Sequence, residues 1–345
     1  MKYAMFLPGG PPEVMIDWAQ RIEAAGFDSL WQGEITNSAL LPLAAVASSV
    51  KNIKLGAGVV LAFTQSPVML AFAALDLDFL TNGRFILGLG VGHQHRTNNW
   101  YAGRDVGTPI TQMREYLQVL RLVMEKAAQG GEIEFQGECY QIHARNFFSR
   151  STPQPRPQVP LYVAAVKPRM ATLTGELADG LVGNPMFSPK HVRENILPPL
   201  RLGLEKSGRP RSDVEVLGQC FTVIEDDLTT AYRIGAGAML FSIWANIYDD
   251  IFAAHGFAET VAQVRPLQRT PDRLKAVDLI PRELVDAFCA VGPIDRVRAK
   301  VHEREGLLET VILAVPATGT TREQQDYYRN KLLAAFAGES LRRKT

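Results

Sequence analysis

Apolar residues in this chain come in short runs, separated by segments in which they recur every three or four positions. Tyr3 to Leu7 is such a run and reads as a strand ended by Pro-Gly-Gly-Pro-Pro; Val14, Trp18, Ile22 and Ala25 then fall at helical spacing, closed by Gly26. The alternation returns with a strand over Ser29–Gln32, a helix over Leu40–Val50 and a third strand over Ile53–Leu61. Pro67 opens a helix with Val68, Phe72, Leu75 and Phe79 on one expected face and Asn82-Gly83 as its stop. A fourth strand spans Phe85 to Leu89, and Met113, Leu117, Leu120 and Met124 mark the next helix. From Leu161 to Pro185 a strand, a Pro-containing turn, a helix, Ala-Asp-Gly and a strand from Leu181 follow in quick succession. So short a connection between two buried strands predicts a βαβ unit with parallel pairing.

Two excursions interrupt the rhythm. Glu132 to Phe148 alternates like a hairpin, and the Pro-rich segment from Ser151 to Pro160 reads as an extended approach to the fifth strand. Val214 to Val223 is the expected seventh strand and Thr310 to Val315 the eighth, with a final helix through Phe336. Between them Ala231 to Leu284 mixes helical and loop character, as long connections forming lids or subunit contacts do. The repeated βα unit predicts an α/β chain of the (β/α)8 TIM barrel class, a single domain over residues 1–345 with insertions after strands 4 and 7.

Composition narrows this by exclusion. With 37 Lys and Arg against 36 Asp and Glu, the net charge of +1 offers no nucleic-acid footprint and no basic membrane face. The N-terminal apolar run is too short for a secretion signal, and no stretch approaches a membrane span. Cys139, Cys220 and Cys289 are widely spaced without a C-x-x-C pair, which argues against disulfides or structural zinc and fits a reducing cytoplasm. A cytoplasmic protein acting on a small-molecule substrate is expected.

On a parallel barrel the chemistry belongs at the C-terminal strand ends. These ends are Trp31-Gln32-Gly33-Glu34, Gly58-Val59, Gly88 to Gly92 followed by His93-Gln94-His95, Ala164-Ala165-Val166, and Gly183-Asn184. Backbone N–H groups at the start of the helix after Val166 can hold a phosphate. Gly88-x-Gly90-x-Gly92 is followed by a polar loop rather than a helix, so it is not a dinucleotide fingerprint; small residues there let a planar ring approach instead. His93-x-His95 lacks further ligands at other strand ends, so no metal site is assigned. Phe63, Trp100 and Tyr101 either line a pocket or pack ordinarily.

The succession GFDSLW, LGAGVV…SPVMLA, NGRFILGLGVG, LYVAAVKPRMATLTGELADG and AVGPIDRVRAKV…GLLETVILAVP resembles the bacterial luciferase-like superfamily across nearly the whole chain. Members are (β/α)8 barrels that bind a flavin or the deazaflavin coenzyme F420. The phrase PRM…GELADG is similar to the F420-dependent branch that includes methylenetetrahydromethanopterin reductase. The Ser-Gly phosphate turn commoner in the flavin monooxygenases is not there. The resemblance implies a non-prolyl cis peptide at Gly58-Val59, making a bulge under the coenzyme's central ring near Gly92. It implies a phosphate turn after Ala164, formed by the N–H groups of Ala165, Val166 and Lys167, with charge from Lys167 and Arg169. It also implies that Asn184 faces the ring or phosphate. On the plainer reading Gly58 relieves crowding inside a strand and Lys167 is a solvated charge.

The chain departs from the family pattern at two places. Where many relatives end strand two in Asp-His, this chain has Glu34-Ile35, and no lysine stands near Phe187. Both differences argue against oxidation of glucose 6-phosphate. They leave reduction of an unsaturated or iminium-type acceptor, which needs hydride and a proton donor. His93, aligned with an acidic residue of some relatives, and Glu34 are the candidate catalytic donors. His93 otherwise makes a structural hydrogen bond. The implied protein is an F420-dependent oxidoreductase, expected from the resemblance to be a homodimer. The alternative is an FMN-dependent monooxygenase using reduced flavin and oxygen.

Overall fold

Strands buried on both faces mark this chain as a parallel α/β protein. Every residue of β4 (Phe85–Gly90) and of β11 (Thr310–Ala314) is buried, without the alternation of a half-exposed sheet. The computed structural model describes residues 1–92, 99, 108–147, 149–271 and 273–339. Before β4 come β1 (Lys2–Phe6), α1 (Pro12–Ala24), β2 (Ser29–Gln32), α2 (Leu40–Val46), β3 (Lys54–Leu61) and α3 (Pro67–Leu80). After it come α4 (Pro109–Gln129), the antiparallel hairpin β5 (Gly131–Gln136) and β6 (Gln141–Phe147), β7 (Leu161–Ala164), α5 (Pro168–Leu177), β8 (Gly180–Val182) and α6 (Leu197–Ser207). The remainder comprises β9 (Glu215–Ile224), α7 (Leu228–Trp244), α8 (Asp249–Ala254), α9 (Ala258–Val264), α10 (Arg282–Phe288), β10 (Cys289–Gly292), α11 (Ile294–His302), β11 and α12 (Arg322–Phe336).

The fold is a (β/α)8 barrel, as expected. Two compact units make up the chain. In the one formed by Phe6–Val182 with Ile196–Glu215, strands lie in the order β2-β3-β4-β7-β8, all parallel. In the other the order is β1-β11-β9-β10, also parallel. β10 is not among the expected strands. Its four residues pair with Phe221–Ile224 of β9 and are too few to show a period.

The face expected on α3 is not the buried one. Leu70, Ala71, Ala74 and Leu75 are buried, whereas Phe79 is 44% exposed and Phe72 stacks on Phe147 of the hairpin at 5.9 Å between ring centres. The helix is apolar almost all round, so its period could not choose a side; the small alanines take the side packed inward. Val14 is likewise exposed on α1, where Met15, Trp18, Ala19 and Ile22 are buried.

Charged side chains replace missing backbone partners in the turn that leads into β3. A single oxygen of Glu23 accepts the N–H groups of Lys51, Asn52 and Ile53 at 2.9, 2.6 and 2.9 Å. The Arg84 guanidinium donates to the carbonyls of Ile53, Val50 and Ala47 at 2.6, 2.9 and 3.2 Å. Burial pushes the Glu23 carboxyl upward, but the amides outweigh it and hold the group below the usual carboxylate range. Among the described residues no helix is long and apolar enough to cross a membrane, and the three cysteines are free.

Helices α5 and α6 meet backbone to backbone at two glycines. A Cβ on Gly175 would run into the Leu200 carbonyl, and one on Gly203 into the Thr172 carbonyl. Gly203→Ala should therefore destabilise the protein by about 1–3 kcal/mol through overpacking. Helix propensity alone would make the same change stabilising by roughly 1 kcal/mol. A urea titration that gave a higher midpoint for the variant would show that the two helices part freely.

Candidate active site

The ends of β2, β3 and β4 are shaped by a break in register. β2 pairs regularly with β3 as far as Gln32 with Ala57. β3 then pairs with β4 at Ala57–Leu87 and next at Val60–Leu89, so Gly58 and Val59 form a bulge, and the peptide between them is cis. Position and isomer both match the expectation. The glycines around the bulge correct one reading, however. A Cβ on Gly88 would strike the Ala57 carbonyl, and one on Gly90 would come within 2.5 Å of Val59 Cγ2. These two glycines make room for the neighbouring strand, not for a ring. On the other side, Cβ atoms at Gly56 and Gly58 would collide with the buried indole of Trp31. Gly92, past the end of β4, has φ +69° and turns the chain away as only glycine does readily.

Glu34 sits beside this bulge. Its N–H donates to the Val59 carbonyl at 3.2 Å, and its Oε2 accepts the Leu61 N–H at 2.8 Å. The carboxyl also takes the N–H of Ala39, just before α2. Burial raises its pKa above the ordinary value, and the two amides pull it partly back. Ile35, in the place of the family's histidine, is 57% exposed.

Several residues near this strand end were not singled out by motif. The Tyr116 hydroxyl on α4 donates to the Gln65 carbonyl at 3.3 Å, just past β3. Phe63 and Tyr140 both meet the Tyr116 ring edge-on, at 6.5 and 5.7 Å. Glu115 accepts the N–H groups of Glu138, Cys139 and Tyr140 at the hairpin tip, at 2.8, 2.8 and 3.0 Å. Burial drives the Tyr116 phenol well above its usual range, aided by the charges of Tyr140 and Glu34. The signal in the sequence was Gln112, Glu115 and Tyr116 standing within the apolar period of α4, where only polar groups with partners are tolerated.

At β7 the expected phosphate turn is altered in one respect. The N–H of Ala165 donates to the Val182 carbonyl at 3.2 Å, so this amide belongs to the sheet and does not reach a ligand. Ala164 ends β7, Val166 and Lys167 follow half-buried, and Lys167 is the residue that caps α5. Pro168 begins the helix and has no N–H, so Arg169 and Met170 carry the forward-facing amides of its first turn. His93, His95, Trp100 and Tyr101 lie outside the described residues.

In the other unit, Asn184 is held from both ends. Its Oδ1 accepts the Met186 N–H at 3.0 Å and its Nδ2 donates to the Tyr248 hydroxyl at 2.7 Å. Further along the same loop the Ser188 hydroxyl lies 2.8 Å from His255 Nε2, and Lys190 Nζ donates to the Ala254 carbonyl at 2.7 Å. Because His255 Nδ1 is 2.7 Å from the Ile251 carbonyl, Nδ1 carries the proton and Nε2 accepts from Ser188. No motif pointed to Tyr248, Ser188 or His255, since these contacts join segments distant in sequence. Among the described residues one set, Glu132, Glu134 and His143, has ligand-type atoms within 4.8 Å of one another, all three exposed on the hairpin, where Arg145 Nε donates to His143 Nε2.

Comparison with known proteins accords with this layout. Residues 2–310 match the family described as luciferase-like monooxygenase. A Mycobacterium tuberculosis protein provisionally named a coenzyme F420-dependent oxidoreductase is 30% identical over 327 residues, covering 88% of this chain and 91% of its own. The 5,10-methylenetetrahydromethanopterin reductase of Methanopyrus kandleri is 27% identical over 327 residues, covering 89% and 90%. Among solved structures, the coenzyme F420-dependent tetrahydromethanopterin reductase of Methanopyrus kandleri superposes with a TM-score of 0.79 at 22% identity, covering 97% of each chain.

The His255 contact has a measurable pH signature. Burial lowers the pKa of its imidazole and the nearby Lys190 adds to this, against the Ile251 carbonyl and Glu194. A folded-state pKa below the unfolded one means the unfolded chain binds the proton more readily. The protein should thus keep its full stability above about pH 6.5 and lose part of it as pH falls through and below that value. Urea midpoints at several pH values should show this loss in the wild type and a smaller one in His255→Asn, which keeps a donor for Ile251 but does not titrate.

Proposed function

The chain belongs to the luciferase-like monooxygenase family, and from that premise we propose that it is an oxidoreductase that exchanges hydride between coenzyme F420 and a small organic substrate. The observation that carries this reading is the bulge at Gly58 and Val59 in the third strand, at the strand end where the resemblance calls for a support under a planar ring. The residues present fit such a coenzyme. The bulge offers an apolar surface to one ring face, and the first turn of α5 offers the amides of Arg169 and Met170 with the cations of Lys167 and Arg169 to an anionic tail. In this reading Val166, just before α5, and Gly92, just past β4, belong to the same site. Asn184 is held in the other unit by Met186 and Tyr248, and its part in binding the coenzyme rests on the resemblance alone. When bound, F420 supplies two-electron hydride transfer and reacts poorly with oxygen.

One departure from the family pattern favours a substrate class. Many relatives carry a histidine where Ile35 stands, and its loss weighs against oxidation of an alcohol. An unsaturated or iminium-type acceptor needs only a proton delivered as hydride arrives, and the sequence candidates His93 and Glu34 are able to hold one. The alternative, an FMN-dependent monooxygenase, is supported by the description of the family and by solved monooxygenases that share the fold.

Fluorescence titrations of the purified protein with F420 and with FMN separate the two. Binding of F420 at micromolar or lower Kd, with FMN ignored, is the expected result. Binding of FMN alone would move the protein to the monooxygenases, and binding of neither would remove the coenzyme assignment. A homodimer is part of the same proposal, because α2 and α3 leave Leu41 72% and Met69 63% exposed, together with Phe79 and Leu80. Light scattering should give a dimer for the wild type and a monomer for the Leu41→Glu, Met69→Glu double variant. A wild-type monomer would refute this part.

A further inference from the structure

We propose that Glu34 is a positioning residue that stands in for the missing end of β2 and so holds the β3 bulge in shape, leaving the proton of the reaction to another group. The reason the shape matters rests on the coenzyme reading; the brace itself does not. β2 stops pairing at Gln32 with Ala57, while β3 continues to Leu61. Past Ala57 the edge of β3 that faced β2 has no strand to bond. Two of its polar groups are answered by Glu34. The Glu34 N–H takes the Val59 carbonyl at 3.2 Å, and Glu34 Oε2 takes the Leu61 N–H at 2.8 Å. These are the two contacts a further residue pair of a parallel ladder would make, one through the main chain and one through a side chain.

The same carboxyl also receives the Ala39 N–H, which ties the loop after β2 back onto the bulge. On its far side the turn after β3 is held by the Tyr116 hydroxyl on the Gln65 carbonyl. A carboxyl so engaged is a poor proton shuttle. Oε2 is committed to the Leu61 N–H, and turning the carboxyl toward a substrate would leave its backbone donors unpaired. Glu34 is therefore suited to stay fixed through turnover, and His93 remains the acid among the sequence candidates.

Two substitutions separate holding from proton transfer. Glu34→Gln keeps an acceptor oxygen but cannot carry the proton, and Glu34→Ala keeps neither. Hydrogen exchange of peptides covering residues 36–42 and 57–65, followed by mass spectrometry, reads the Ala39 and Leu61 amides directly. For Glu34→Ala exchange in both peptides should accelerate at least about tenfold, and the F420 Kd should weaken about tenfold. Glu34→Gln should stay within about threefold of the wild type in both readouts. Equal damage from Gln and Ala would overturn the inference, since the ionisable proton would then be what matters. Unchanged exchange in Glu34→Ala would overturn it as well. If Glu34→Ala does not fold, Glu34→Gln alone decides: retained protection and affinity uphold the brace, and loss of either refutes it. A wild type that binds no F420, with exchange still accelerated in Glu34→Ala, would sink the coenzyme reading and leave the brace standing.

Discussion

Between Ala57 and Val60 the third strand takes three steps where its neighbour takes two, from Leu87 to Leu89. A parallel ladder cannot absorb that surplus while staying flat, so the strand bends and its last residues leave the regular pairing. The consequences reach several elements. Gly56 and Gly58 have no side chains because Trp31 fills that space from β2, and Gly88 and Gly90 have none because the displaced Ala57 carbonyl and Val59 side chain occupy it on the β4 side. Glu34 and Tyr116 are placed where the bent segment presents groups that no strand answers. One surplus residue thus accounts for the glycine pattern, a buried tryptophan and two polar contacts.

The parts of this architecture that depend on local pattern were readable in the chain. The βα rhythm gives the barrel class, and the β5–β6 hairpin and the βαβ unit from Leu161 lie where alternation and turn residues predict them. What depends on a third partner was not. The face of α3 is ambiguous because the helix is apolar nearly all round, and β10 is a strand only by virtue of lying against β9. At the site, Gly58-Val59 and Glu34 were legible by resemblance, whereas the use of Ala165 N–H by Val182 was not, because a backbone amide carries no trace of its partner in sequence. Tyr248 and His255 meet Asn184 and Ser188 across some sixty residues of chain, a separation no local pattern reports.

The two ends of the β-strands are held by different means. At the entry to β3 the turn is pinned by charged groups acting on backbone, Glu23 on three N–H groups and Arg84 on three carbonyls. At its exit a carboxyl and a phenol serve instead, with fewer contacts each. The entry is overdetermined and the exit is not, which is the asymmetry a barrel needs if loops at one end are to change while the other keeps the strands in place.

Glu23 and Arg84 also bind each other's fates. They sit in different βα units, yet each answers one half of the same turn's backbone, the donors for one and the acceptors for the other. Exchanging either alone strands the polar groups it served while the other still grips the rest, so no single step leads to a differently built turn. Rebuilding the turn requires changing both partners together. The turn is one structural unit encoded at two distant places in the chain.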